Sequence, residues 1–239
     1  MEILGWLLLR HLSARAFDLR LERTFLFGAK GTPNQLRRLP LRIALVQLPC
    51  LALFYWLEGW RVLPWAAALI FSTAIYNWPR YGLKARPPFE ILNQIGYLLV
   101  FVIASWLCNV PQLPWFTMVF GALFAMHSHL FGEIMDVVPD RLAGRRTTAG
   151  EIGIVHAKFL LAICLAIEAI IVGWFSAEKL LAGFLALAAC WFVADATLLW
   201  RDRLYETWQM RLFLLGWNVI ALATMPLVWW SGGLTRGSG

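Results

Sequence analysis

Residues 113–136 decide the fold and read LPWFTMVFGALFAMHSHLFGEIMD. The stretch is long enough to cross a bilayer as a helix, which takes about 20 predominantly apolar residues. Its acidic residues, Glu133 and Asp136, come only at its end. Charged groups are costly in the bilayer interior. The stretch therefore predicts a membrane-spanning helix that carries its carboxylates to one membrane surface.

The composition extends this prediction to the whole chain. Hydrophobic residues make up 60% of the 239 positions and charged residues only 15%, which is too apolar for the surface of a soluble protein. We expect an all-α fold, a polytopic membrane helical bundle with seven full spans, in a single domain over residues 1–239. Residues 1–12 are apolar but only long enough for an N-terminal half-helix. The other predicted spans cover residues 41–57, 62–78, 89–110, 152–175, 179–200 and 211–230. Asn93 and Gln94 interrupt the third of these spans near its start, and a tight turn at residues 58–60 connects the first two.

The positive charge predicts an orientation and not a nucleic-acid partner. The net charge is +7, but the basic residues lie in short loops between apolar runs. All of the 21 Lys and Arg residues except Arg61, Lys179 and Arg236 fall in one of two alternating sets of loops, and such loops are cytoplasmic by the positive-inside rule. We therefore expect an integral protein of a bacterial cytoplasmic membrane, with its polar site on the cytoplasmic face and its C-terminus outside.

Three carboxylates follow one another at the end of the deciding stretch. Glu133, Asp136 and Asp140 stand at i, i+3 and i+7, so a continuous helix would present them on one face. Like charges at this density favour a bound cation. Oxygen ligands suit Mg²⁺, which proteins commonly bind together with a substrate diphosphate. The acidic stripe therefore predicts a magnesium site.

Three arginines, Arg141, Arg145 and Arg146, come directly after these acids. Guanidinium groups pair with phosphate oxygens in a bidentate geometry. The acids and arginines together predict a site for a metal-bound diphosphate. The alternative is a solvated helix end held by ordinary salt bridges between residues one turn apart, and the spacing alone leaves both open.

These residues resemble a known motif. Residues 133–141, EIMDVVPDR, are similar to the second Asp-rich motif, DxxDxxxDR, of the UbiA superfamily of intramembrane prenyltransferases, with Glu133 in place of the first Asp. Residues 143–153 resemble the G-x-x-T…G continuation of that motif. Residues 76–84, YNWPRYGLK, look like a loop of the carotenoid/lycopene-elongase-like branch, in which Lys84 would face the diphosphate. The resemblance extends over nearly the whole chain.

The first Asp-rich motif of the family is degraded in this chain. Residues 14–23, ARAFDLRLER, keep Asp18, carry Glu22 in place of an Asp, and lack the leading Asn and Asp. Arg15 puts a positive charge where the family has a metal ligand, which weakens magnesium binding by repulsion. The match also implies that residues 1–12 correspond to the end of the family's second helix, so we expect the first helix to be missing.

The resemblance implies a Mg²⁺-dependent prenyltransferase that moves an isoprenyl group from an allylic diphosphate to a lipid-soluble acceptor taken from the surrounding membrane lipids. Its implied catalytic residues are Asp136, Asp140 and Lys84. The implied metal ligands are Asp136, Asp140, Glu133, Asp18 and Glu22. The implied substrate-binding residues are Arg141, Arg145, Arg146, Tyr76, Asn77 and Lys84.

A second interpretation is a protein that kept the fold and lost turnover. Such a chain would bind an isoprenoid or a pigment, or serve as a structural subunit of a larger membrane complex. The candidate ligands for a chlorin metal are His11, His127, His129 and His156. Glu168 and Asp195 lie inside predicted spans, where acids are functional candidates by default. The simpler interpretation of these histidines and acids is hydrogen bonding to neighbouring helices.

Overall fold

The computed structural model describes residues 25–26, 29–30, 33–78, 82–142 and 144–232. One antiparallel pair of two-residue strands, β1 (Phe25–Leu26) and β2 (Ala29–Lys30), is present. The other regular elements of the described ranges are helical, which confirms the all-α prediction. The α-helices are α1 (Pro33–Glu58), α2 (Val62–Asn77), α3 (Phe89–Leu92), α4 (Leu99–Leu107), α5 (Trp115–Met135), α6 (Val137–Leu142), α7 (Thr148–Ile152), α8 (Ile154–Phe175), α9 (Lys179–Thr197) and α10 (Thr207–Ser231).

Four helical segments in the described ranges are long and apolar enough to cross a membrane. They are Phe89–Leu107, Trp115–Met135, Ile154–Phe175 and Lys179–Thr197, and they indicate an integral membrane protein. Helix α2 has 16 residues, fewer than the about 20 that an untilted span needs. Each predicted span contains a helix, but the count of seven spans stays a prediction, as do the orientation and the position of the C-terminus.

Local sequence explains the segment boundaries. Prolines come directly before α3 and α5, where a missing backbone N–H costs nothing because the first helical turn leaves its N–H groups unpaired. The interruption predicted at Asn93 is present as a 3₁₀ helix, Asn93–Leu98, between α3 and α4. The tight turn predicted between the first two spans is the 3₁₀ helix Gly59–Arg61.

The chain forms two compact units. The first comprises the described part of Met1–Lys84 together with Leu99–Pro111. Within it, α4 packs against α1 and α2, the indole Nε1 of Trp65 donates to the carbonyl oxygen of Leu99 at 2.7 Å, and the ring of Phe54 meets Trp65 edge-on. Two compact units need not be two domains, so the single domain stays a prediction.

The second unit comprises Ala85–Leu98 and Gln112–Gly239 and is built around α8, which packs against α5 and α9. Small buried residues let the helices approach closely, as is usual inside membranes. The outer faces carry large apolar side chains such as Ile170, 63% exposed, and Leu187, 67% exposed. Lipid tails would cover such faces, whereas water would not. The small buried residues are Ala157, Ala162, Ala189 and Ala196.

The helix expected to carry the acidic stripe does not continue through it. Helix α5 ends at Met135, and Asp136 has φ −100° and ψ 12°, outside the helical range. The N–H of Asp136 still donates to Gly132 and that of Asp140 to Asp136, at 2.9 and 2.8 Å. The chain therefore bends at Asp136, and this bend separates Glu133 from the two aspartates.

Candidate functional site

The two aspartates after the bend lie beside one of the predicted phosphate-binding arginines. Arg145 Nη1 is 3.1 Å from Asp140 Oδ1, and the backbone N–H of Arg145 donates to the Asp140 carbonyl at 2.9 Å. Asp140 is largely buried, whereas Asp136 is exposed as a residue. Partial burial of its carboxyl raises the pKa of Asp136, the charge of Asp140 raises it further, and Arg145 offsets part of this effect. The acidic end of α5 is thus partly neutralised from within the chain.

Glu133, the third predicted acid of the stripe, has its contacts on α7 and with His129. It is buried, its Oε2 accepts the backbone N–H of Ala149 at 3.1 Å, and its Oε1 lies 3.3 Å from Nε2 of His129. In the described part of the chain, no three His, Cys, Asp or Glu side chains lie close enough together to hold a metal ion. Glu133 thus contacts α7, and its shared metal-binding role with Asp136 and Asp140 stays a prediction.

Two carboxylates with nearby arginines still suit magnesium. Mg²⁺ is usually held by one or two protein carboxylates, with substrate phosphates and water completing its coordination. Asp136 and Asp140, four residues apart on either side of one helical hydrogen bond, fit that donor set. Asp18 and Glu22, the other predicted metal ligands, lie outside the described residues, so their contribution stays a prediction.

Glu90, which was not among the residues predicted from the sequence, also contacts α7. It is fully buried on α3, and its Oε1 accepts two hydrogen bonds from Thr148, from the backbone N–H and from Oγ1, each at 2.6 Å. Glu90 stands at the start of a predicted span. Ionisable residues in apolar runs are functional candidates, and this rule, which singled out Glu168 and Asp195, would also have found Glu90.

The remaining predicted arginines lie on the same segment and are exposed. Arg146 Nε donates to Glu151 Oε1 at 2.8 Å, and Arg141 Nη2 reaches the carbonyl oxygen of Gly150 at 3.4 Å. The bond from Arg146 lowers the pKa of Glu151. Exposed ion pairs contribute little to stability because water competes for both charges. These arginines can therefore exchange their present partners for a phosphate at little cost.

The second predicted loop lies in the first unit. The ammonium of Lys84 is 5.8 Å from the centroid of the Tyr76 ring, and Asn77 Nδ2 donates to the carbonyl oxygen of Thr73 at 3.1 Å. The N–H of Gly82 bonds to the Trp78 carbonyl, and a Cβ at Gly82 would overlap that oxygen. The structure thus brings Lys84 to Tyr76. Their meeting with the aspartates of the second unit stays a prediction.

The acids inside the spans hydrogen-bond to other parts of the bundle, as the simpler interpretation predicted. Glu168 on α8 lies 2.5 Å from Nδ1 of His127 on α5, and both side chains are buried. Asp195 on α9 accepts from Lys158 Nζ on α8 at 2.8 Å and from the hydroxyl of Tyr205. Lys158, which lies inside the predicted span 152–175, is a fully buried residue of that helix.

The described histidines also have local partners. His127 pairs with Glu168, His129 lies beside Glu133, and Nδ1 of His156 is 2.9 Å from the carbonyl oxygen of Ile152. These contacts support the interpretation of His127 and His156 as hydrogen-bonded packing residues. His11, the fourth candidate for a chlorin metal, lies outside the described residues.

Comparison with known proteins finds two partial similarities. A lycopene elongase/hydratase of Haloferax volcanii is 33% identical over 90 residues, which is 38% of this chain and 30% of that protein. A lycopene elongase/hydratase of Halobacterium salinarum is 31% identical over 131 residues, 55% of this chain and 46% of that protein. The chain thus spans less than half the length of these relatives. No family model and no solved structure matches it.

Proposed function

We propose that this chain is a membrane-embedded enzyme that transfers an isoprenyl group from an allylic diphosphate to a lipid-soluble acceptor in a Mg²⁺-dependent reaction. The observation that carries the proposal is the Asp140–Arg145 ion pair at the end of a spanning helix, close enough to Asp136 for both charges to affect the pKa of its carboxyl. The similarity to two proteins named lycopene elongase/hydratase supports a carotenoid as the acceptor. The resemblance of residues 133–141 to the UbiA motif supports prenyl transfer as the reaction.

Asp136 and Asp140 are the proposed magnesium ligands. When bound, Mg²⁺ would stabilise the negative charge that develops on the leaving pyrophosphate. Asp136 is exposed and holds its proton more tightly than an ordinary carboxyl. Since only the deprotonated carboxylate binds a metal, Mg²⁺ binding at this site should release a proton and weaken as the pH falls.

The Asp140–Arg145 ion pair has a specific role in this proposal. In the absence of substrate, the pair keeps the carboxylate compensated in its largely buried position. A diphosphate that binds Arg145 would offer the guanidinium a more highly charged partner. Asp140 would then be released to bind magnesium at the moment the substrate arrives, so the metal and the diphosphate would bind cooperatively.

A second candidate function is isoprenoid or pigment binding without turnover. The observation that favours it is the same ion pair, because Asp140 is already compensated by Arg145. In addition, one oxygen of Glu133 accepts the backbone N–H of Ala149 on α7. In this case the pair would be a permanent structural contact, and the chain would release no pyrophosphate.

The test is magnesium-dependent release of pyrophosphate from allylic diphosphates of graded chain length, with the full chain in lipid nanodiscs and lycopene supplied as acceptor. We expect release by the parent and its loss in Asp140→Asn and Asp136→Asn, while Glu178→Gln, in the connection between α8 and α9, retains it. Mass spectrometry of copurifying lipids separates a prenylated product from a stored pigment. Equal release by Asp140→Asn and the parent would contradict the assignment.

A further inference from the structure

The segment between α6 and α8 carries the arginines of the proposed site, and α7 anchors it. Helix α7, Thr148–Ile152, has only five residues, too few for a helix to be stable on its own. It follows Arg145 and Arg146 directly and is followed by Gly153, with φ +84°. The position of these arginines therefore depends on what holds α7 in place.

Two buried carboxylates hold the first turn of α7. Glu90 Oε1 accepts the N–H and the Oγ1 of Thr148, each at 2.6 Å, and Glu133 Oε2 accepts the N–H of Ala149 at 3.1 Å. The next N–H, of Gly150, donates to Oγ1 of Thr147 at 3.2 Å. Three successive N–H groups are thus satisfied by side chains, and two of the acceptors come from other helices of the same unit.

We infer that Glu90 and Glu133 are positioning residues that fix the arginine-bearing segment, and that Glu133 is not a magnesium ligand. Both side chains are at most 5% exposed, so the carboxylates are withdrawn from water. One oxygen of each is directed at the helix terminus, whereas Glu90 Oε2 and Glu133 Oε1 are buried without a hydrogen-bond partner among the described residues. A carboxylate at a helix N-terminus is favoured by the partial positive charge of its free N–H groups. The effect on catalysis rests on the function proposed above, whereas the effect on the segment itself does not.

Chemistry distinguishes a positioning role from a metal-binding one. Glu90→Gln loses the negative charge but keeps a carbonyl oxygen that can accept both hydrogen bonds from Thr148. Glu90→Ala loses both the charge and the accepting oxygen. A metal ligand would not be rescued by glutamine, because a neutral amide is a poor substitute for a carboxylate. Rescue by Glu90→Gln, with failure of Glu90→Ala, is therefore the signature of the inferred role.

The direct test is hydrogen exchange of the full chain in nanodiscs, followed in peptides that contain residues 144–153. In Glu90→Ala we expect the amides of Thr148 and Ala149 to exchange about tenfold faster or more, because the acceptor of both Thr148 hydrogen bonds is lost and the first turn of α7 opens more often. In Glu90→Gln we expect the rates to stay within about threefold of the parent. Glu178→Gln, at the N-cap of α9 without a side-chain cap, should leave them unchanged.

A milder variant keeps the test valid where Glu90→Ala does not fold. Thr148→Val removes only the hydroxyl donor and keeps the backbone N–H, so it should speed exchange of the same amides by about threefold or more. In the Glu90→Gln background it should produce the same increase, because the hydroxyl bonds to the oxygen that glutamine retains. Parent-like exchange in both Thr148→Val and Glu90→Ala would overturn the inference, whether or not the chain is active.

A second measurement separates this inference from the proposed function. With an allylic diphosphate, Glu133→Ala should raise the KM for the diphosphate, because the acceptor of the Ala149 N–H is lost. Glu133→Gln should leave both this KM and the half-saturating Mg²⁺ concentration within about twofold of the parent, since the amide oxygen still accepts the N–H of Ala149. A large shift in magnesium dependence with unchanged exchange at Ala149 would make Glu133 a metal ligand and refute the inference. Absence of pyrophosphate release by the parent would refute the proposed function alone.

Discussion

Replacing Lys158 by methionine should be among the most damaging single changes in the second unit. Lys158 is fully buried on α8, and its ammonium donates to Asp195 Oδ1 at 2.8 Å and to the carbonyl oxygen of Arg201 at 2.9 Å. It also lies 4.7 Å from the centroid of the Tyr205 ring. Methionine has a similar length and volume but no charge, so the substitution removes the ammonium with little change in packing.

The stability that Lys158→Met loses depends on the partners that Asp195 keeps once the ammonium is gone. Removing one partner of a buried ion pair costs about 3–5 kcal/mol, because the other charge stays buried and uncompensated. The hydroxyl of Tyr205 still donates to Asp195. Burial of the Tyr205 side chain raises its pKa, and the hydrogen bond to Asp195 and the charge of Asp195 raise it further. The hydroxyl therefore stays a donor at any working pH. Because Asp195 keeps this hydrogen-bond partner, we expect Lys158→Met to lose about 3 kcal/mol, the lower end of that range.

The free energy of unfolding can be measured in mixed micelles of a mild detergent and sodium dodecyl sulfate, followed by tryptophan fluorescence. Lys158→Met, Asp195→Asn and the double variant form a cycle, in which we expect the double variant to lose less than the two single losses added together, by about 2 kcal/mol or more. Lys179→Met is the control on an exposed lysine. Its ammonium donates to the carbonyl oxygens of Gly173 and Ser176 at the end of α8, so this substitution should cost about 1 kcal/mol or less.

Two outcomes would refute the reasoning on Lys158. A loss for Lys158→Met no larger than that of Lys179→Met would mean that the buried ammonium contributes no net stability. Strict additivity in the cycle would mean that Lys158 and Asp195 act independently, in spite of the 2.8 Å between their charged atoms.

Three further predictions concern the same unit. Because the folded state raises the pKa of Asp136, it binds that proton more tightly than the unfolded state, and stability falls as the pH rises above the ordinary carboxyl range; Asp136→Asn should therefore raise the thermal midpoint relative to the parent at pH 8 and not at pH 3, measured without Mg²⁺. His127→Phe should cost about 1–3 kcal/mol in the unfolding assay, because buried Glu168 loses its hydrogen-bond partner; a variant as stable as the parent would show that the bond is dispensable. Gly153→Ala should cost about 1 kcal/mol or more, since φ is +84°, whereas Gly132→Ala, in α5 with open space around its Cα, should be neutral or stabilising.

Hydrophobic patterning predicted the helices well because a bilayer imposes a length and a composition on each span. The predicted spans 113–136 and 179–200 correspond to α5, Trp115–Met135, and α9, Lys179–Thr197. The break at Asn93 was predicted because polar residues interrupt an apolar run there. Such local signals need no knowledge of the tertiary structure.

The bend at Asp136 and the role of Glu90 could not be predicted in the same way. The spacing of the acids is equally consistent with one continuous helix, and only the structure shows that Asp136 leaves the helical range. Glu90 and Thr148 are 58 positions apart in the chain, so their contact has no local signature. The composition rule that singles out ionisable residues in apolar runs would have indicated Glu90 and Lys158 as candidates, but not their partners.

The distribution of charge in the second unit indicates which part of it can support a reaction. Inside the spans, Glu168 is paired with His127, and Asp195 with Lys158; opening either pair to admit a ligand would leave a buried charge uncompensated, at a cost of several kcal/mol. At the end of α5, Asp136 is exposed and Arg145 is about half-exposed, so water can compensate both while partners are exchanged. A metal-bound diphosphate can therefore replace the contacts at this helix end without destabilising the bundle, which is the physical reason to place the reaction there.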